Sequence, residues 1–315
     1  MLAYFSSLSF LTLLRALPGS VAQGMVWGIM ALGVYITFRL LDFADLTVDG
    51  SMAFGAAVCV MLIRGGVHPI VATLIAFLAG MVAGLVTGLL NTLLGIPGIL
   101  ASILTQIGLY SINLHVMGKS NQPVSVDNYP LLVSLRYVTG SAKSRAFFFL
   151  GMVIFLVVLI CVLYSYFGTE QGQAIRATGC NPNMARAQGI NTNFIKVLTL
   201  MISNGLVGLS GAMYGQFQGA ADVNMGRGAI VIGLAAVIIG EVLFGKWTVK
   251  RKAAFGWTLG AVIIGAIVYY LVYQFVLWLK MPSEDMKLLS AVVVAVFLAI
   301  PYLKEKKSQR KGAKA

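Results

Sequence analysis

Charge is scarce in this chain. Only 10% of its 315 residues are charged, and acids are the rarer kind, ten Asp and Glu against 23 Lys and Arg. Soluble domains carry about 25% charged residues, and a chain that is 59% hydrophobic leaves too little polar surface to cover a water-soluble fold. Cysteine is sparse as well. Cys59, Cys161 and Cys180 are odd in number and form no C-x-x-C, so neither a disulfide framework nor a zinc site is indicated. The two histidines, His68 and His115, each stand alone near the end of an apolar run, a poor start for a metal centre. No nucleophile–base set, metal-ligand cluster or paired catalytic carboxylates stand out. The nearest thing to a phosphate loop, NLHVMGKS at 113–120, has Asn where G-x-x-x-x-G-K-[ST] needs Gly. No cofactor, metal or built-in ATPase is expected.

Long apolar runs are what the chain does have. A membrane span needs about 20 apolar residues, and runs of that kind fall at 2–17, 20–38, 50–63, 70–94, 98–117, 147–167, 197–218, 229–245, 253–278 and 286–303. The expectation is an all-α, polytopic membrane protein of about ten transmembrane helices, some short or broken. A single transmembrane domain over 1–303 is followed by a basic tail at 304–315. The first run has no basic n-region before it and no convincing A-x-A-like site after it, and reads as a retained helix. The 35 glycines suit a bundle in lipid, where small residues let helices approach closely.

The net charge of +13 does not point to nucleic acid, because the basic residues cluster in loops and in the tail LKEKKSQRKGAKA beside anionic lipid. With that tail and the loop GKWTVKRK at 245–252 in the cytoplasm, counting back puts 168–196 inside, 118–145 outside and both termini inside. Fourteen of the 23 Lys and Arg are then cytoplasmic. Lys119, Arg136, Lys143 and Arg145 in the outer loop oppose the rule.

Two stretches echo each other, ADLTVDGSMAFGAAV from Ala44 and ADVNMGRGAIVIGLAAV from Ala221. Each begins Ala-Asp, passes through polar and small residues and enters a short apolar segment. An offset of five spans gives the halves, about 20–117 and 197–303, opposite topology, the mark of an inverted repeat; short Asp/Gly stretches also recur by chance. Irregular backbone at membrane depth is tolerated only where protein or a wet cavity satisfies it. The segment DFADLTVDGS therefore has two readings. As a broken intramembrane helix it turns Asp45, Thr47, Asp49 and Ser51 towards a substrate pathway, with Asp222 and Asn224 as counterparts. As an aqueous loop, its Asp49 or Ser51 caps the next helix.

The stretch RATGCNPNMARAQGI at 176–190 is polar and compact. Asn181 is a preferred N-cap, Pro182 fits the first helical position, NMARAQ supplies about two turns, and Gly189 suits a left-handed C′ position. Arg176 and Arg186 keep the segment in water. So short a helix is marginal alone, and its apolar face of Met184, Ala185, Ala187 and Ile190 is thin for lipid, which favours docking into a groove on a cytosolic partner.

These residues carry a resemblance. GQAIRATGCNPNMARAQGINTNFIK, then LMISNGLVGLSGAMYG and AAVIIGEVLFGKW, resemble the permease subunit of bacterial ABC importers of the branched-chain amino acid and ribose class. LGVYITFRLLDFADLTVDGSMAFGAAV is similar to the branch associated with lipoprotein-type binding proteins, for which tryptophan or tyrosine uptake has been proposed. The resemblance implies a bacterial cell-membrane permease dimer on two cytosolic ABC ATPase subunits, with an extracytoplasmic substrate-binding lipoprotein. It implies that the segment with Arg176, Asn181, Pro182, Asn183, Met184, Ala185, Arg186 and Gly189 is the coupling helix seated in the ATPase. On this reading Arg136, Lys143, Arg145 or Arg227 could dock acidic groups of the binding protein. The alternative is an ion-coupled secondary transporter using its own acids, Asp42, Asp45, Asp49, Asp222 and Glu241.

Overall fold

A computed structural model describes residues 10–248 and 254–278, with six single positions between 288 and 299. Its order is α1 (Phe10–Tyr35), a π-helical turn (Ile36–Leu40), α2 (Thr47–Arg64), α3 (Pro69–Thr92), α4 (Gly98–Met117), β1 (Asn121–Pro123), α5 (Leu135–Thr139), α6 (Ala142–Gly168), α7 (Glu170–Cys180), α8 (Pro182–Ala187), α9 (Thr192–Gln218), β2 (Ala220–Asp222), α10 (Ala229–Thr248) and α11 (Ala254–Trp278). Among the described residues seven helices are long and apolar enough to cross a membrane, and the apolar part of α10 is shorter.

Helices α1 and α9 form the centre, because their sequences are small and apolar all round. Residues 24–35 of α1, continuing into 36–37 of the π turn, and 203–213 of α9 are buried without a break. The pair is pinned by hydroxyls donating to carbonyls across the contact, Ser203 Oγ to Gly33 O and Ser210 Oγ to Val26 O, each at 2.8 Å. Around them the packing is exchanged: α9 lies against α2 and α3, and α1 against α10 and α11. The outer helices α3, α4 and α6 turn Leu74, Leu78, Val82, Ile107, Phe147 and Val158 outward. An apolar girdle on this scale suits hydrocarbon, not water.

The bundle has two distinct ends. At one, β1 and β2 pair antiparallel, joining the exit of α4 to that of α9, and α5 lies beside them. At the other lie α7, α8 and the π turn. Helix α2 does not run the full depth. Its first turn packs on α4 at Gln106 and Leu109, and Ser51 meets Asn204, twelve residues into α9 and so roughly 18 Å along it.

One expectation is corrected. The runs 2–17 and 20–38 are not separate spans from residue 10 onward: α1 passes through Pro18 unbroken, as proline-containing helices in a packed bundle can. The Phe10 end of α1 consequently lies at the sheet end, since Gly19 faces Leu135 of α5. The run 286–303, the tail 304–315 and the basic cluster at 250–252 lie outside the described residues, apart from the single positions named above.

Candidate functional site

Helix α8 is shaped by its two ends. Asn181 is extended (φ −157°, ψ 99°), and its Oδ1 accepts from the backbone N–H groups of Asn183 at 3.1 Å and Met184 at 3.0 Å. Pro182 follows at the first position, where no N–H is needed. At the other end Gly189 takes φ +84°. Its N–H donates to Arg186 O at 2.9 Å, and that of Ile190 to Ala185 O at 3.0 Å, the paired bonds of a Schellman stop. Of α8 itself only Ala185 is buried, while Asn181, Asn183, Met184, Arg186 and Gly189 are exposed. Met184 is 61% exposed and nearby Phe194 is 55% exposed. Arg186 Nε donates to Thr192 Oγ1 at 2.7 Å, tying the helix to the start of α9.

Arg176 departs from expectation. It lies on α7, not on the short helix, and its guanidinium stacks 4.2 Å from the Phe255 ring and 5.9 Å from that of Phe167. The helical period of α7, with Gly172, Ile175 and Thr178 on its buried face, sets Arg176 beside that face and onto the bundle, and its Nε is buried without a partner. Three residues on, Gly179 sits so close to the π turn that a Cβ there would lie 2.0 Å from Leu40 O. The π turn is held in turn by Arg39, which makes a two-pronged ion pair with Glu241 of α10.

The polar residues after the π turn are divided among three environments. Asp45, Thr47 and Ser51 are buried. Asp45 Oδ1 accepts from Thr47 N at 2.9 Å and Oδ2 from Asn204 Nδ2 at 2.7 Å; Ser51 Oγ donates to Asn204 Oδ1 at 2.7 Å. Thr47 Oγ1 pairs with Thr87 at 2.7 Å, and Thr87 with Thr105 at 2.9 Å. Asp49 instead caps another helix: its carboxylate accepts from Gly228 N at 2.9 Å and Ile230 N at 3.0 Å at the start of α10. Both backbones are close enough that a Cβ on Gly226 would lie 2.0 Å from Asp49 O. Asp222 and Asn224 lie near the sheet end, Asp222 Oδ1 accepting from Asn224 N at 2.7 Å. The six residues do not form one cluster. The broken-helix geometry describes 41–51 better than an aqueous loop, because Asp45 is only 2% exposed and α2 begins partway through the bundle. Neither Asp49 nor Ser51 caps α2.

Asn204, Thr87 and Thr105 were not foreseen. A lone Asn among Gly, Ser and Leu in an apolar helix was the signal available, since such a side chain needs a partner inside lipid. Two cavities stand out among the described residues, and none of the six residues lines either. One, of about 680 Å³, lies near the sheet end between Arg15, Gln23, Arg145, Tyr214 and Gln274. The other, of about 700 Å³, is an apolar groove beside α6 bounded by Leu74, Phe148, Phe155 and Met213.

The acids of the ion-coupled reading are likewise scattered: Asp42 is exposed beside the π turn, Glu241 is paired with Arg39, and Asp222 is near the sheet end. Of the four basic residues considered for docking, Arg136 pairs with Asp127, holding that carboxyl below its ordinary range. Lys143 is exposed and Arg145 Nε donates to Val138 O at 3.0 Å, whereas Arg227 stands apart from them against Tyr110 of α4. The segment 113–120 is the end of α4, with Gly118 at φ +67° closing it, and has no strand-to-helix phosphate loop.

A helical bundle with seven membrane-length apolar helices, a few buried polar contacts between them and an exposed capped helix at one end is that of a multi-pass membrane protein. The profile of the family described as branched-chain amino acid transport system / permease component matches residues 17–301, and the chain belongs to that family. It is 40% identical over 279 residues, 89% of each chain, to a protein of Clostridioides difficile (strain R20291) named tyrosine transport system permease protein. It is 27% identical over 237 residues, 73% of this chain and 68% of the other, to the nucleoside ABC transporter permease protein NupC of Lactococcus lactis subsp. cremoris (strain MG1363). No solved structure matches.

Proposed function

We propose that the chain is the transmembrane subunit of a bacterial ABC importer, carrying an aromatic amino acid inward by alternating access while a separate cytosolic ATPase subunit hydrolyses ATP. Similarity to a permease named for tyrosine supports the substrate class. The importer has two copies of this chain, a substrate-binding lipoprotein on the outer face and surrounding lipid, and the α8 end faces the cytoplasm. The exchanged packing of α1 and α9 supports an inverted repeat of the halves 20–117 and 197–303.

One observation carries the reading. Helix α8 is rigidly capped at both ends yet exposed over nearly all its surface, a form suited to seating in a partner's cleft. Force received there passes through α7, whose Gly179 abuts Leu40, to the π turn and onward to α10 through Arg39 and Glu241.

Co-purification tests the proposal. A tagged chain brings down the ATPase, and Arg186→Glu or Pro182→Gly weakens that association about tenfold, ~1.4 kcal/mol. Gly179→Val keeps the ATPase bound but cuts ATP-driven uptake, because the insult lies downstream of docking. Uptake that persists without any ATPase and collapses when the ion gradient is dissipated sinks this reading in favour of ion coupling.

A further inference from the structure

Arg227 is exposed in the turn before α10, with its guanidinium 6.0 Å from the Tyr110 ring. Tyr110 lies seven residues from the Met117 end of α4, roughly 10 Å into the span, and twelve from the Gly98 end, roughly 18 Å. The same turn touches Asp49 through Gly226, so the depth is fixed from two sides. Among the described residues the ion pairs are Arg39–Glu241 and Arg136–Asp127, and neither involves Arg227. An exposed, unpaired guanidinium at such depth is costly against hydrocarbon and marks water or a polar ligand.

The helix beside it agrees. Gln106, Tyr110 and Asn113 stand at i, i+4 and i+7 along one face of α4. Asn113 is 1% exposed, and its Oδ1 has no hydrogen-bond partner, a second polar group unspent on the fold. Elsewhere α4 turns Leu104, Ile107 and Ile112 outward, as a lipid-facing surface does.

We propose that Arg227 and the Gln106–Tyr110–Asn113 face of α4 form a wet substrate-binding strip for an aromatic amino acid. The Arg227 guanidinium takes the carboxylate through paired hydrogen bonds, the Tyr110 ring stacks on the substrate ring, and the amides of Gln106 and Asn113 serve its remaining polar groups. This deepens, and rests on, the importer reading above.

The test has two arms on the complex reconstituted with its ATPase and binding protein. In a background with Cys161 and Cys180 changed to Ser, R227C and Y110C are treated with a charged, membrane-impermeant methanethiosulfonate. Both label, and loaded binding protein with ATP slows the labelling. In the second arm, R227Q lowers uptake of radiolabelled tyrosine at least tenfold, R227K restores part of it, and R227Q still co-purifies with the ATPase. Labelling by a lipid-soluble maleimide alone, or wild-type uptake by R227Q, overturns the strip. A wild-type complex that binds its ATPase but moves no tyrosine overturns the aromatic substrate, while impermeant labelling still supports a wet strip for other cargo. Loss of ATPase binding in the wild type sinks the importer reading itself.

Discussion

The segments from Ala44 and Ala221 begin alike and part within five residues. Both open with Asp folded back on its own chain, Asp45 accepting from Thr47 N at 2.9 Å and Asp222 from Asn224 N at 2.7 Å. Asp45 then disappears into a network with Asn204, whereas Asp222 stays near the sheet end. Four residues further, the first segment has Asp49 and the second Gly226, and these two positions touch. Next come Gly50, against α4, and Arg227, which is exposed. The two similar segments do different work: the first holds the interior together, and the second leaves a cation free. An acid matched by an acid at the contact would have repelled; an acid matched by glycine lets one carboxylate bind the opposing helix start.

The largest effect expected from breaking this comparison comes at the contact itself. Gly226→Val thrusts side-chain atoms onto the Asp49 backbone, an overpacking cost of about 3 kcal/mol, read as a fall in the melting temperature of the detergent-purified protein and loss of uptake. Asn204→Ala is next. It strands buried Asp45 and Ser51 and costs about 2 kcal/mol, measured by unfolding in mixed micelles; adding Asp45→Asn recovers part, since the neutral group is cheaper to leave buried. The smallest effects sharpen the contrast. Asp49→Ala removes the cap on α10 for about 1 kcal/mol, while Asp222→Ala stays within about 0.5 kcal/mol. Equal losses from the two acids would show that the segments are not divided as described.

Much of the short polar helix was legible because its determinants are local. Asn181, Pro182 and Gly189 act within a few residues of themselves, and each stands in the role its chemistry suggested. The join of 10–17 to 20–38 was hidden because proline breaks helices in water, whereas α1 keeps Pro18 inside. The trans cap by Asp49 and the stacking of Arg176 on Phe255 depend on chain more than 70 residues away, beyond the reach of periodicity or spacing. Arg227 reads from the sequence as part of an aqueous turn before α10; its contact with Tyr110, and that of Gly226 with Asp49, set its depth.

The little β-ladder has a mechanical corollary. Asn121 opposite Asp222 and Pro123 opposite Ala220 rivet the far tip of α9 in place, with Val124 N to Gly219 O at 2.9 Å as an extra stitch. Any sway of α9 that spares those rivets swings about Gln218 as a fulcrum. Over its 27 residues, a lever arm of roughly 40 Å, a swing of about 5° carries the tip beside α8 sideways by about 3.5 Å.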